Sequence, residues 1–121
     1  MILVDTSVWV LHLRKGNIGL ERLLNNAEVI CHPFIVGELA CGNLKNRAEI
    51  LFLLQDLPMA TQAEHKEVMQ VIDNHHLMGK GLGYIDIHLL ASARLNEVSL
   101  WTLDKKLEKV AAKLGIGFHK K

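Results

Sequence analysis

The chain opens on "MILVDTSVWVLHL", where the apolar run Ile2, Leu3 and Val4 is broken by Asp5, Thr6 and Ser7 before apolar residues resume at Val8, Trp9 and Val10. Short apolar runs recur at "EVICH" (28–32), "VSLWT" (98–102) and "GIGFH" (115–119). Bounded by turn residues, they read with Ile2–Val4 as short buried strands, predicting a sheet of four or more parallel strands. Between them the apolar spacing is helical. Thr6 or Ser7 is placed to cap a helix through Val8–Leu13. "IGLERLLNNA" reads as a second helix, and "PFIVGELACG" as a third, with Pro33 in its first turn and Gly42 at its end. "NRAEILFLLQDL" is a fourth. "TQAEHKEVMQVIDNHHLMG" is a fifth, with Thr61 as cap and Glu64 three residues on. "GYIDIHLLASARLN" and "LDKKLEKVAAKLG" complete the set.

Short strands separated by helices predict an α/β domain with a mostly parallel sheet, and 121 residues suit a single domain, 1–121. Such sheets carry their sites at the carboxyl ends of strands. Asp5 ends the first strand and Asp104 follows "VSLWT", so both acids are expected at one edge.

Composition changes the picture little. The formal charge is +1 and half the residues are hydrophobic, which names no partner. No apolar run is long enough to span a membrane, and Asp5 interrupts the only run placed like a leader, so a cytoplasmic protein is expected. Cys31 and Cys41 match no common zinc spacing and read as buried, reduced thiols. Local charge is more telling: Lys105, Lys106, Lys109, Lys113, His119, Lys120 and Lys121 crowd the C-terminal end. They read either as a solvated face or as a phosphate-facing patch. The histidines, among them the surface candidates His12, His65 and His119, are not assigned to catalysis, and Trp9 and Trp101 are expected to pack in the core.

Glu38 and Asp86 sit within helical patterns whose i±3 and i±4 neighbours are uncharged: Phe34, Ile35, Cys41 and Gly42 around Glu38, and Leu82, Gly83, Leu89 and Leu90 around Asp86. Any one such acid has a bland explanation, as a cap or a strand end. Four acids converging on one edge do not. Two unpaired carboxylates about 4 Å apart repel by roughly 4 kcal/mol at an effective dielectric near 20. An all-oxygen acidic cluster suits Mg²⁺ or Mn²⁺ and the hydrolysis of phosphodiesters.

At this point "ILVDTSVWV", "VGELACG", "YIDIHLLASA" and "LWTLDKKLEKVAAKLGI" together resemble the PIN-domain ribonucleases, specifically the VapC-type toxins of toxin–antitoxin pairs. The resemblance spans nearly the whole chain. It implies a three-layer α/β/α fold and a Mg²⁺- or Mn²⁺-dependent endoribonuclease. It carries the acidic motif onto Asp5, Glu38, Asp86 and Asp104 as catalytic and metal-holding residues. Thr6, Ser7 and Thr102 would orient carboxylates or water, and Lys105 and Lys106 would meet RNA phosphates. It also implies a small VapB-type antitoxin and a homodimer, for which the apolar "NRAEILFLLQDLPMA" stretch offers a surface. The alternatives are a non-catalytic PIN-like binding module, a phospho-receiver domain, which would want a late lysine where Asp104 stands, and a dehalogenase-like phosphatase, which would want D-x-D where this chain reads D-T-S.

Overall fold

The computed structural model describes residues 1–119. It is an α/β domain in which β1 (Ile2–Val4), β2 (Val29–Ile30) and β3 (Ser99–Trp101) form a parallel sheet in the order β2-β1-β3. The first strand is central, and the order reverses at it. In parallel sheets that reversal opens a crevice at the strands' carboxyl ends.

The sheet is narrower than the sequence pattern predicts. "GIGFH" is not a strand: Gly117 makes only an isolated bridge with Leu100, flanked by Leu100 N–H donating to Ile116 O at 2.7 Å and Phe118 N–H to Leu100 O at 3.0 Å. A second isolated bridge joins Cys31 to Met59, beyond β2. Each bridge covers an outer edge, so among the described residues three strands stand where four or more were expected.

Among the described residues seven helices complete the fold: α1 (Thr6–Lys15), α2 (Ile18–Asn25), α3 (Pro33–Ala40), α4 (Arg47–Gln55), α5 (His65–Asn74), α6 (Tyr84–Leu95) and α7 (Lys105–Lys113). Buried side chains from all three strands and every helix form one contiguous cluster, with Leu3, Val4, Val8, Leu89, Leu90 and Leu100 near its centre. Helix α6 is the most deeply buried, from Ile87 to Ala93 without a break. Trp9 and Trp101 are both buried, as expected.

Two caps differ from expectation. Helix α1 begins at Thr6 with Asp5 at its cap position, and the hydroxyls of Thr6 and Ser7 are spent elsewhere. Helix α5 begins after Glu64, whose N–H donates to the Glu67 carboxylate at 2.9 Å. Thr61 lies upstream in extended chain, tied by its N–H and its carbonyl to the Asn96 side chain of the neighbouring segment, so it cannot cap. Cys31 is buried as predicted, but Cys41 is exposed because α3 has ended there. His12 is half-buried rather than on the surface, its Nδ1 accepting the Asn17 N–H at 3.1 Å.

Candidate active site

Asp5 is fixed from both ends. Its N–H continues the β1–β3 ladder by donating to Trp101 O at 2.8 Å, so its side chain leaves the sheet at the strand's carboxyl end. Two hydroxyls then hold one carboxylate oxygen. Thr102 Oγ1 donates to Asp5 Oδ2 at 2.7 Å, and Ser7 Oγ donates to the same atom at 2.9 Å. Each hydroxyl is itself an acceptor: Thr102 Oγ1 takes the Asp104 N–H at 3.1 Å, and Ser7 Oγ takes the Leu103 N–H at 3.0 Å. A hydroxyl that accepts from an amide has its own proton left to give, so both relays run toward Asp5 and reinforce one another. The backbone of the β3–α7 turn thereby sets the orientation of a carboxylate nearly the whole chain away.

Asp104 sits in that same turn. It caps α7, with Oδ1 accepting from Lys106 N–H at 2.9 Å and Leu107 N–H at 3.2 Å. Asp86 is the third residue of α6, and its Oδ2 accepts the Gly83 N–H at 3.1 Å. Burial raises the Asp86 carboxyl above its ordinary pKa, the Gly83 N–H opposes that shift, and the charges of Asp5 and Asp104 push it further up. Those repulsions put the three acids in one electrostatic neighbourhood at the same end of the sheet.

Glu38 departs from expectation. It does not lie on an apolar face: α3 buries Ile35 and Leu39 and leaves Glu38 exposed. Its tie to the other acids runs through Thr6, whose Oγ1 donates to Glu38 Oε1 at 2.9 Å one residue past Asp5. Glu38 and Thr6 open onto a groove of about 710 Å³ that also takes in Arg14 and Lys45. Arg14 is in the last turn of α1, and the nearby Arg47 is occupied by the carbonyl of Ala40.

The donor set fits a hard divalent cation better than zinc. It is carboxylate oxygen throughout, and in each acid one oxygen is held by the donors just named while the other takes no hydrogen bond among the described residues. No three of these side chains close around a point tightly enough to cage an ion by themselves, among the described residues. An open set suits Mg²⁺, which keeps several of its waters and leans on few carboxylates.

The sequence pattern does not reveal the layer beneath the acids. His32 is fully buried at the end of β2, where its Nδ1 accepts the Phe34 N–H at 3.0 Å and its Nε2 lies 3.0 Å from Ser92 Oγ. With Nδ1 accepting, Nε2 carries the proton and donates to Ser92, which in turn accepts the Ala63 N–H at 3.2 Å. Burial, with a smaller contribution from His88, lowers the pKa of His32 to about 4. His88, buried against Phe34 and Tyr84, has its Nδ1 without a partner among the described residues. No signal in the sequence pairs His32 with Ser92, 60 residues away.

A family profile described as PIN domain matches residues 2–113. The chain is 43% identical over 117 residues to Ribonuclease VapC32 of Mycobacterium tuberculosis, in strain H37Rv and equally in strain CDC 1551 / Oshkosh, covering 96% of this chain and 94% of the relative. The fold is similar to the crystal structure of PAE2754 from Pyrobaculum aerophilum, with a TM-score of 0.60 at 15% identity, over 94% of this chain and 88% of that one.

Proposed function

This chain belongs to the PIN-domain family, among its VapC ribonucleases, and from that membership we propose that it is a Mg²⁺- or Mn²⁺-dependent endoribonuclease, the toxin half of a type II toxin–antitoxin pair. The observation that supports the reading is the Thr102 hydroxyl, which joins the Asp5 carboxylate to the Asp104 backbone at the end of a parallel sheet, with Asp86 near enough for the charges of both to raise its carboxyl beyond the effect of burial. Such repulsion is an asset only where a cation offsets it.

Asp5, Asp86 and Asp104 would hold the ion, with Glu38 completing the site from α3. When bound, the ion supplies charge that offsets the negative charge developing on the phosphoryl oxygens and on the departing 3′-oxygen, and eases deprotonation of the attacking water. The protein's own contribution is orientation. Ser7 and Thr102 hold Asp5, the Gly83 N–H holds Asp86, the first turn of α7 holds Asp104, and Thr6 holds Glu38. The carboxylate oxygens these donors leave over are the ones available to the ion and to a hydrogen bond from the water. Water then adds to phosphorus as the bond to the 3′-oxygen breaks, which leaves 5′-phosphate and 3′-hydroxyl ends and needs no RNA 2′-hydroxyl.

A VapB-type antitoxin and a homodimer belong to the same reading, as does a cytoplasmic location, where the RNA is. Helix α4 supports the protein contacts: Phe52 is 71% and Leu53 54% exposed. Leu53 also borders an apolar recess of about 340 Å³ against α1 and α2, where buried Trp9 has an Nε1–H without an acceptor among the described residues. An amphipathic partner segment would fill such a recess. No described helix is long and apolar enough to cross a membrane.

The test is cleavage of a mixed RNA pool by the purified protein in Mg²⁺, in Mn²⁺ and with chelator, with the new ends sequenced. Metal-dependent cuts with 5′-phosphate ends are expected. Absence of cutting in either metal would overturn the reading in favour of a non-catalytic PIN-like binding module, and equal cutting in chelator would overturn the metal dependence.

A further inference from the structure

Away from the acids, α7 presents Lys106, Lys109 and Lys113 at helical offsets of three and four, which stack them on one face. The 78–83 loop brings Lys80 to the same place, and these four lysines line one recess of about 220 Å³ over Leu77 and Val110. None of the four ammonium groups has a hydrogen-bond or ion-pair partner among the described residues. Four unneutralised cations converging on one recess repel one another, an arrangement that favours an anion in their midst. Lys105, one position off the stripe, does not line the recess.

The recess is joined to the acidic site at both of its walls. On α7, Lys106 gives its backbone N–H to Asp104 Oδ1 at 2.9 Å. On the loop side, the Lys106 side chain lies across Gly81: a Cβ there would come within 3.0 Å of Nζ, and the φ of +78° suits glycine. The same loop runs on through Gly83 into Asp86. The lysine stripe therefore starts where the acids end and runs away from them for about 10 Å, at 1.5 Å per residue from Lys106 to Lys113.

We propose that Lys80, Lys106, Lys109 and Lys113 form a track for the RNA backbone, holding phosphates of the strand that flanks the scissile bond on the Asp86–Asp104 side. The track rests on the nuclease reading for its substrate and adds to it the residues that hold the strand. Its contacts are to phosphate, so they set register and affinity and carry no base preference. Among the described residues the lining holds no amide or guanidinium, and its one imidazole, His75, has its Nε2 against Arg94 Nη1 at 2.6 Å, which matches that division of labour.

The experiment measures binding apart from cutting. Affinity for a fluorescein-labelled single-stranded RNA of mixed sequence is followed by anisotropy in chelator, across a salt series. It compares wild type, each single Lys→Gln variant, the quadruple variant and Lys15→Gln as a control off the track. All five positions are exposed, so melting curves should stay unchanged. Each phosphate contact to a single strand contributes about 0.7 to the slope of log K against log salt, or roughly fivefold in affinity near 0.1 M salt. Each track variant is expected to lose about that much, equally on RNAs of different sequence, and Lys15→Gln to lose none. In Mg²⁺ the quadruple variant should show a raised KM with kcat little changed, the mark of binding felt alike before and at the transition state. If wild type cuts RNA while the quadruple variant matches its affinity, slope and KM, the track is wrong and the nuclease reading stands. The track is equally overturned if the quadruple variant keeps RNA binding and loses only an acidic protein partner. If wild type binds but does not cut, and the variants lose slope, the track stands and the nuclease reading falls. If wild type neither binds nor cuts, both fall.

Discussion

Thr102 Oγ1 donates to Asp5 Oδ2 at 2.7 Å, joining residues 97 positions apart in a contact where Thr102 is almost fully buried and Asp5 is 7% exposed. Because Thr102 Oγ1 also accepts the Asp104 N–H, a single hydroxyl positions one acid and the backbone of another.

Thr102→Val keeps the shape and removes that hydroxyl. Groups that orient ion-holding carboxylates typically matter by 10- to 100-fold. Cleavage should fall within about that range, and stability by roughly 1.5–3 kcal/mol, the scale of a hydrogen bond to a charged group. Thr102→Ser restores the donor and should recover most of the activity. Comparing urea midpoints with cleavage rates for the pair checks this: a Val variant as active as wild type would show that Asp5 needs no such support.

Asp5→Asn removes charge at the centre of the acidic set. Cleavage should fall by about two orders of magnitude or more, as when a preorganised electrostatic group is lost. Without metal the variant should melt at or above the wild-type temperature, since repulsion with Asp86 is relieved. Added Mg²⁺ should raise the wild-type melting temperature through linkage and raise that of the variant less. Equal Mg²⁺ shifts in the two proteins would remove Asp5 from the ion site even if activity were lost.

His32 gives a pH dependence of stability. Its pKa is lowered to about 4 in the folded protein against 6.5 in an unfolded chain. The folded state therefore binds fewer protons, and the contribution is complete above pH 6.5 and is lost as pH falls toward 4. At about 1.4 kcal/mol per unit the span is up to roughly 3 kcal/mol. His32→Asn retains a side chain able to cap α3 but does not titrate there. Urea denaturation at a series of pH values should show wild type losing more stability across this window than the variant. Parallel curves would place the acid sensitivity elsewhere.

Phe52→Asp tests the α4 surface. The side chain is 71% exposed, so folding stability should change by no more than about 0.5 kcal/mol. If α4 forms the proposed dimer contact, light scattering should show wild-type dimers and variant monomers. A variant that remains dimeric would move the interface away from this helix.

Much of this was legible in the sequence because it is local. Apolar periodicity marks each helix, Pro33 marks the start of α3, and a polar residue closing an apolar run marks Asp5 and Asp104 as strand-end acids at one edge. "GIGFH" misled because an apolar run fixes burial, not pairing: the run meets β3 at Leu100 alone, through Ile116 and Phe118 on either side of Gly117, and a strand needs a partner along its length. Thr61 misled because the cap motif is a local signal, while the Asn96 side chain that captures it comes from another element. Glu38 was picked out by position and family pattern and lies exposed on α3, although its neighbour Ile35 is buried: offsets of three and four mark a face only roughly, and α3 turns Ile35 and Leu39 inward and Glu38 outward. The tertiary structure alone decided which hydroxyl serves which acid, the His32–Ser92 pair, and the meeting of Lys80 with the α7 lysines. Each of these joins groups from separate elements, and chain spacing carries no information about such contacts until the core has packed. The sequence by itself determined the helices, the α/β class and which acids are candidates for the site, because those depend on residue type and local period; their orientation had to wait for the fold, because only packing brings Thr102 to Asp5.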